Sequence, residues 1–436
     1  MSKPIRPVME FYEASDIGAG VAVWYGSQAL DGTAFQWRAA PVGSIYVYRP
    51  APTSAAIYGK TANNGATADW VQLDAAASAA DYPATQLAYG ACHLRNWNAE
   101  LTHIRRENVG HQAVLALFGD SWMNIGNRFA DLFTTWLQTE YGDAGPGWVS
   151  MWEGGKGEPP NVTRTRTGTW TDRDKNSTPK GRGPDLSECY SDEVVTPAKV
   201  TITATCETVI IHYLEQVGGG DFRWQVDAGG WTTVSTDAAE AYATTSITGL
   251  SAASHAVEIE ILDAGTAGVI LFGADVQESA NGVRVHRFGQ NGGKASDYTA
   301  LDATQWQTAL TALAPTVVAI LLGTNEDSGD VAPATFRTNM EEMATRVRTA
   351  IPLCDILYIS PGPNDLTPGT YGMADYVAAL RASAVANDYA MFDSLLLLGD
   401  YDSANSRDLY QDSSHVNATG GSAIVRQVIQ TLLYLP

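Results

Sequence analysis

Residues 113–122 read AVLALFGDSW, and this stretch decides the fold. Ala113 to Phe118 is an unbroken apolar run of the length expected for a strand buried on both faces. Gly119 and Asp120 end the run and Ser121 follows. From Trp122 to Tyr141 apolar residues recur at Ile125, Phe129, Leu132, Phe133, Trp136 and Leu137, a three-four rhythm that predicts a helix. A serine on a tight turn between a buried strand and a helix stands at the carboxyl edge of a sheet. The free N–H groups of the helix start lie beside it, which suits a nucleophile whose oxyanion needs nearby donors. Taken alone, Gly-Asp-Ser is also an ordinary helix cap, so the rest of the chain must arbitrate.

Downstream of Pro315 strands and helices alternate. Thr316–Leu322 predicts a buried strand ending in GTNE, Ile356–Ser360 another, and Met391–Leu398 includes a third. Helical spacing covers Ala303–Leu313, Thr335–Ala350, Tyr371–Asn387 and about Thr419 to Leu433. Before them, Val283–Phe288 is strand-like and leads into GQNGG. This alternation implies an α/β fold with a parallel sheet covered on both faces. Between the two parts lies different material. Residues 151–190 are polar and loop-like, and Lys199 to about Asp275 is a series of short β runs that predicts an inserted antiparallel β-sandwich. Residues 1–75 read as a small β module, with runs at Val21–Tyr25, Ser44–Tyr48, Ala55–Tyr58 and Trp70–Leu73, and 76–110 as a connector. The expected domains are therefore 1–75, the connector 76–110, an α/β domain made of 111–150 and 280–436, and an insertion at 151–279.

The chain has 436 residues, 45% of them hydrophobic and 17% charged, with a net charge of −21. That composition describes a folded protein, and the charge excludes nucleic acid as a partner and would repel an anionic membrane. A local basic run, Arg164, Arg166, Arg173, Lys175, Lys180 and Arg182, reads as a solvated loop, with a role in holding an acidic polymer left open. The start, MSKPIRPVMEFYEASD, has no apolar core of signal-peptide length, and no run is long enough to span a bilayer as a helix. Cys92, Cys189, Cys206 and Cys354 show no metal spacing; whether Cys189 pairs with Cys206 is left open. His93, His103, His111, His212, His255 and His286 show no ligand spacing and read as surface or packing residues. No metal site is expected. Trp170, Trp224 and Trp231 could stack on sugar rings, though core packing is the commoner use.

Four loops leave strands at the same sheet edge with chemistry on them: GDS at Gly119–Ser121, GQNGG at Gly289–Gly293, GTNE at Gly323–Glu326 and DSSH at Asp412–His415. In open α/β sheets reactive groups gather at that edge. Asp412 and His415 are three residues apart, so the carboxylate can hold Nδ1–H of the imidazole and leave Nε2 to take a hydroxyl proton.

These blocks, in this order, resemble the SGNH, or GDSL-type, hydrolase superfamily. The resemblance covers roughly 111–150 and 280–436 and implies a three-layer, flavodoxin-like α/β hydrolase domain. It implies Ser121 as nucleophile, His415 as general base and Asp412 as its orienter. The oxyanion hole would be made by the N–H groups of Ser121 and Gly292 and the amide of Asn325. Trp122 stands where many members have Leu, and Glu326 where Asp is frequent. The layout, with a β block between the nucleophile helix and the second motif, resembles carbohydrate and peptidoglycan O-acetylesterases. That implies a serine esterase acting without a cofactor on an acetylated bacterial glycan such as capsule, O-antigen or peptidoglycan. The N-terminal pieces APVGSIYVYRP, IYGK and DWVQLD resemble small modules of bacteriophage tail and virion proteins. They imply a tail-associated enzyme with other tail proteins as partners, acting outside the cell. Two alternatives remain: a lipase or thioesterase on other acyl esters, and a non-catalytic carbohydrate-binding attachment protein.

Overall fold

A computed structural model describes residues 84–435, apart from 109, 279, 280 and 368, and the backbone of five strands between residues 7 and 72. The chain divides into two compact units, Met1–Asp81 and Tyr82–Pro436. In the first, Pro7–Phe11, Val21–Gly26, Ile45–Ala51, Ser54–Lys60 and Trp70–Gln72 form one sheet in chain order. Val21–Gly26 and Ile45–Ala51 run parallel and the other neighbours antiparallel.

The second unit is built on a six-stranded sheet. Its order is Gly282–Gly289, Gln112–Gly119, Val317–Leu321, Asp355–Ile359, Ala390–Phe392, Ala88–Tyr89. All pairs are parallel except the last. The run 113–118 is wholly buried because it has a core on each face. Ala113, Leu115 and Leu117 point into one core with the helices Arg95–Arg105, Ala130–Tyr141 and Ala418–Val428. Phe118 meets Tyr298 and Trp306 edge-on, at 5.6 and 5.4 Å between ring centres. The chain leaves Gln112–Gly119, returns on one side as Gly282–Gly289, then crosses to the other side as Val317–Leu321. The strand carrying GDS is thus the point where the order reverses, the place where such sheets open a crevice at their carboxyl edge.

Residues 84–110 are not a connector. Ala88–Tyr89 completes the parallel sheet as its antiparallel edge, and the Arg95–Arg105 helix buries Trp97, Leu101 and Ile104 against it. An Ala-rich and polar composition hid a helix whose apolar stripe is only three residues wide. The helix expected over 122–141 is broken as well. Ser121–Asn124 forms one turn, Gly126–Arg128 a 3-10 turn, and the long helix starts at Ala130. The chain must come this close at Gly126: a Cβ there would sit 2.1 Å from Nη2 of Arg287.

The inserted block is one continuous nine-stranded antiparallel sheet that curls around a single core. The separate runs KVTITA and TVIIHYL are one 17-residue strand, Lys199–Glu215, with a bulge between Cys206 and Thr208. Its first part pairs with Thr163–Thr167 and its second with Val269–Gln277, which is how one sheet supplies both walls of a sandwich. Ala241–Asp263 is likewise a single 23-residue strand. The sheet begins earlier than expected, at Gly147–Ser150.

The basic run is not a solvated loop. In Thr163–Thr167 the alternation TRTRT turns Arg164 and Arg166 to one face, where their side chains are only 5% and 8% exposed. Arg164 pairs with Glu158 at 3.0 Å, Arg166 with Asp172 at 2.6 Å, and Arg173 and Arg182 both with buried Glu188. Trp170 and Trp231 carry Arg166 and Arg223 over their rings, and Trp224 packs against the sheet's core. Cys189 and Cys206 are free thiols, both buried in that core. His212 and His286 are fully buried, where desolvation pushes their pKa values down to about 3 and about 4. No described helix is long and apolar enough to cross a membrane.

Candidate active site

Asp120 caps the turn that carries the hydroxyl: its Oδ1 accepts from the N–H of Trp122 at 2.9 Å. Trp122 is buried against Phe129 and leaves Ser121 pointing out of the core. On the facing loop the Asp412 carboxylate gathers its own neighbourhood. Oδ1 accepts from the backbone N–H of Ser414 at 2.9 Å and of His415 at 2.8 Å. Both carboxylate oxygens lie 2.9 Å from Nδ1 of His415. Burial works to raise the Asp412 pKa, but the Ser414 and His415 hydrogen bonds win and hold it below its ordinary value. Nε2 of His415 is 2.7 Å from Oγ of Ser121. With Nδ1 protonated toward Asp412, Nε2 accepts from the serine hydroxyl. The structure therefore brings Ser121, His415 and Asp412 into one chain of hydrogen bonds, although Ser121 and His415 are 294 positions apart.

Gly292 lies across the pocket from His415. Gln290 N–H donates to the Gly119 carbonyl and Gly293 N–H to the Gln290 carbonyl, which closes a tight turn. Gly292 adopts φ +66° in it, a conformation glycine takes without strain. The N–H groups of Ser121 and Gly292 donate to no acceptor among the described residues, so both are available to an incoming oxyanion. Asn325 also lines the pocket, but its amide is occupied. Nδ2 donates to Oδ2 of Asp120 at 3.2 Å and to the Gly293 carbonyl at 3.1 Å. In this state Asn325 ties three loops together, and it becomes an oxyanion donor only by releasing one of those acceptors.

Beneath these loops sit two carboxyl groups with raised pKa values. Asp120 is fully buried, and desolvation, against the Trp122 hydrogen bond, pushes it up to about 8, with Glu326 adding to the shift. Glu326, 2% exposed, is raised by burial to about 7 although its Oε1 accepts from Ala295 N–H at 2.7 Å. Its Oε2 has no partner among the described residues. The departure at 326 thus places a longer acid in the floor of the site.

The cavity over Ser121 has a volume of about 420 Å³. Its lining residues are mostly polar, with Ile125 and Leu366 the apolar side chains among them, and polar and apolar atoms share its surface about equally. Among the described residues there is no group of His, Cys, Asp or Glu arranged to hold a metal ion. Three contributors to the site were missed in the sequence. Arg128 lines the cavity and bonds to Gln411. Asn291, on the glycine loop, accepts from Asn124. Lys175 comes from the insert, and its Nζ lies 3.4 Å from where a Cβ on Gly292 would be. No motif marks Arg128 or Lys175, since each reaches the site through tertiary packing, whereas Asn291 lies inside GQNGG, where only the glycines were weighed.

Among known families, residues 249–423 match the model of the GDSL-like Lipase/Acylhydrolase family. A search of curated proteins found no match. Among solved structures, a peptidoglycan O-acetylesterase is similar with a TM-score of 0.65 and 17% identity, over 80% of this chain and 98% of that one. A family two carbohydrate esterase from Clostridium thermocellum, in complex with cellohexaose, has a TM-score of 0.26 and 14% identity, over 61% of this chain and 100% of that one. One from Cellvibrio japonicus has 0.25 and 10%, over 62% and 98%. At such identities the likeness is one of fold, and only the first score is high enough to speak even to that. The matched segment carries the GQNGG, GTNE and DSSH loops, and over it this chain is similar to the GDSL-like Lipase/Acylhydrolase family.

Proposed function

We propose that this chain is a serine esterase that removes O-acetyl groups from a bacterial polysaccharide. The carrying observation is the chain from Ser121 Oγ to His415 Nε2, and from His415 Nδ1 to Asp412, at 2.7 and 2.9 Å. It opens into a cavity lined mostly by polar residues, with two free backbone donors. His415 takes the serine proton as Oγ bonds to the acetyl carbonyl carbon, and the carbonyl electron pair moves onto oxygen. The oxyanion meets the N–H groups of Ser121 and Gly292 and, once it lets go of Gly293, the amide of Asn325. Collapse breaks the bond to the sugar oxygen, which leaves with the proton from His415. Water, deprotonated by His415, then attacks the acetyl-enzyme, and acetate departs from Ser121.

The choice of a short acyl group is supported by the cavity. A long chain needs a deep apolar groove, and here the residues lining the cavity over Ser121 are mostly polar, with Trp122 buried against Phe129. The fold shared with a peptidoglycan O-acetylesterase agrees with a glycan acetyl ester. Acetate release from a panel of acetylated bacterial glycans tests the reading, with Ser121→Ala as control. Nitrophenyl esters of increasing chain length separate it from a lipase or thioesterase, which would prefer the longer members. Turnover that survives in Ser121→Ala removes the mechanism. Turnover absent from wild type on every ester returns the attachment-protein alternative. Placement on a phage tail is part of the proposal and rests on the resemblance of pieces within residues 40–74 alone. Detection of the chain in purified particles tests it.

A further inference from the structure

The hydroxyl and the imidazole arrive on separate loops, and a single side chain spans the gap between them. Arg128 ends the 3-10 turn after the nucleophile and is 5% exposed. Its Nη2 donates to Oε1 of Gln411 at 2.8 Å, and its Nη1 points to the Ser121 carbonyl at 3.4 Å. Gln411 opens the acid–base loop, and its backbone N–H donates to the His415 carbonyl at 2.8 Å, closing that loop on itself. The backbone of Arg128 is fixed too, because Gly421 of the last helix lies against its carbonyl with no room for a Cβ. Arg128 makes no ion pair within 4 Å among the described residues, and it is the one Arg or Lys among the described residues that line the cavity. The charges that act on it are those of Asp412 and Asp120.

We propose that Arg128 is a positioning residue: it ties the nucleophile turn to the loop of Asp412 and His415, and its charge disfavours the protonated imidazole. This rests on the esterase reading above. The groups that face His415 are Asp412 on its own loop, Asp120 on the nucleophile turn and Arg128. Two more meet its loop: Asp365, whose N–H donates to the Ser413 carbonyl, and Tyr401, whose hydroxyl donates to the Asp412 carbonyl. Arg128 is the only cation of this set, so it alone opposes the proton that the Asp412 carboxylate attracts, Asp120 being raised to about 8 and uncharged in the acidic range.

Wild type is first assayed on an aryl acetate, and its activity or inactivity decides the esterase reading by itself. Arg128→Met removes both tie and charge. The expected result is kcat lower by about tenfold or more, KM within about twofold, and an acidic limb of the pH–rate profile moved to higher pH. Arg128→Lys keeps the charge and should leave that limb in place. Gln411→Leu, at an exposed position, breaks the tie alone and should lower kcat without moving the limb. Hydrogen exchange at the amides of 411–415 should quicken in Arg128→Met and Gln411→Leu, a readout that needs no turnover. Wild-type exchange in both variants overturns the tie. An unmoved limb in Arg128→Met overturns the role of the charge, and a raised KM with intact kcat makes Arg128 a substrate-binding residue instead.

Discussion

Asp412 and Asp120 stand on the two sides of the serine and obey opposite rules. Asp412 is held ionised by the donors around it, so it keeps the imidazole oriented through the neutral range. Asp412→Asn should retain the fold and cut kcat by about 10³–10⁴, because the amide can present its N–H to Nδ1 and stabilise the wrong tautomer. Single-turnover acylation measures this. Asp120 and Glu326, raised to about 8 and about 7, bind protons more tightly folded than unfolded. Their contribution to stability is therefore present below the ordinary carboxyl range and lost as pH rises toward 7 and 8. Glu326→Gln keeps an acceptor for Ala295 N–H and cannot ionise. Its Tm should exceed wild type by a few degrees at pH 8.5 and match it at pH 5, as thermal melts across that range would show. The DSSH spacing made the Asp412–His415 pair readable beforehand. The raised acids were not readable, since burial is a property of the packed loops and not of GTNE.

At the level of elements, the parallel strands were legible because each is short, apolar on both faces and followed by a glycine-bearing loop. Gln112–Gly119 differs by one residue at each end from the run that announced it. Lost from view were elements whose shape depends on a distant partner. The long inserted strands looked like pairs of short ones, because their bulge at Cys206/Thr208 and Gly249, at φ +76°, mimic turns. The break after Ser121 was hidden because its apolar rhythm continues through Phe129, while the cause is Arg287 on another strand. Gly126→Ala should push Arg287 away from Asp131, which it meets at 3.4 Å, and lower both Tm and kcat. The last helix offers a milder case. The Asn417 side chain caps Thr419 and Gly420 N–H at 2.9 and 3.0 Å, so Asn417→Ala should cost about 1 kcal/mol in denaturant unfolding.

Across the whole of residues 82–436 the insert is not an appendage. Trp148, on the strand Gly147–Ser150, packs against Phe288 of the parallel sheet and His212 of the inserted one, at 5.4 and 5.1 Å. Calorimetry of this unit should give one transition. Trp148→Ala should lower it by about 3–5 kcal/mol, with no separate insert transition left behind. The sequence showed the change of character near residues 150 and 280 because polar loops flank the β block. It did not show that the block shares a wall with the α/β domain.

The 294 positions between Ser121 and His415 also set a schedule. During synthesis the Ser121 hydroxyl leaves the ribosome long before the imidazole it bonds to, and strand Gln112–Gly119 must wait for partners made later on both sides. A growing chain therefore carries an inert serine until residue 415 has been made. Any truncation before residue 415 yields a product that cannot cleave an ester by this route.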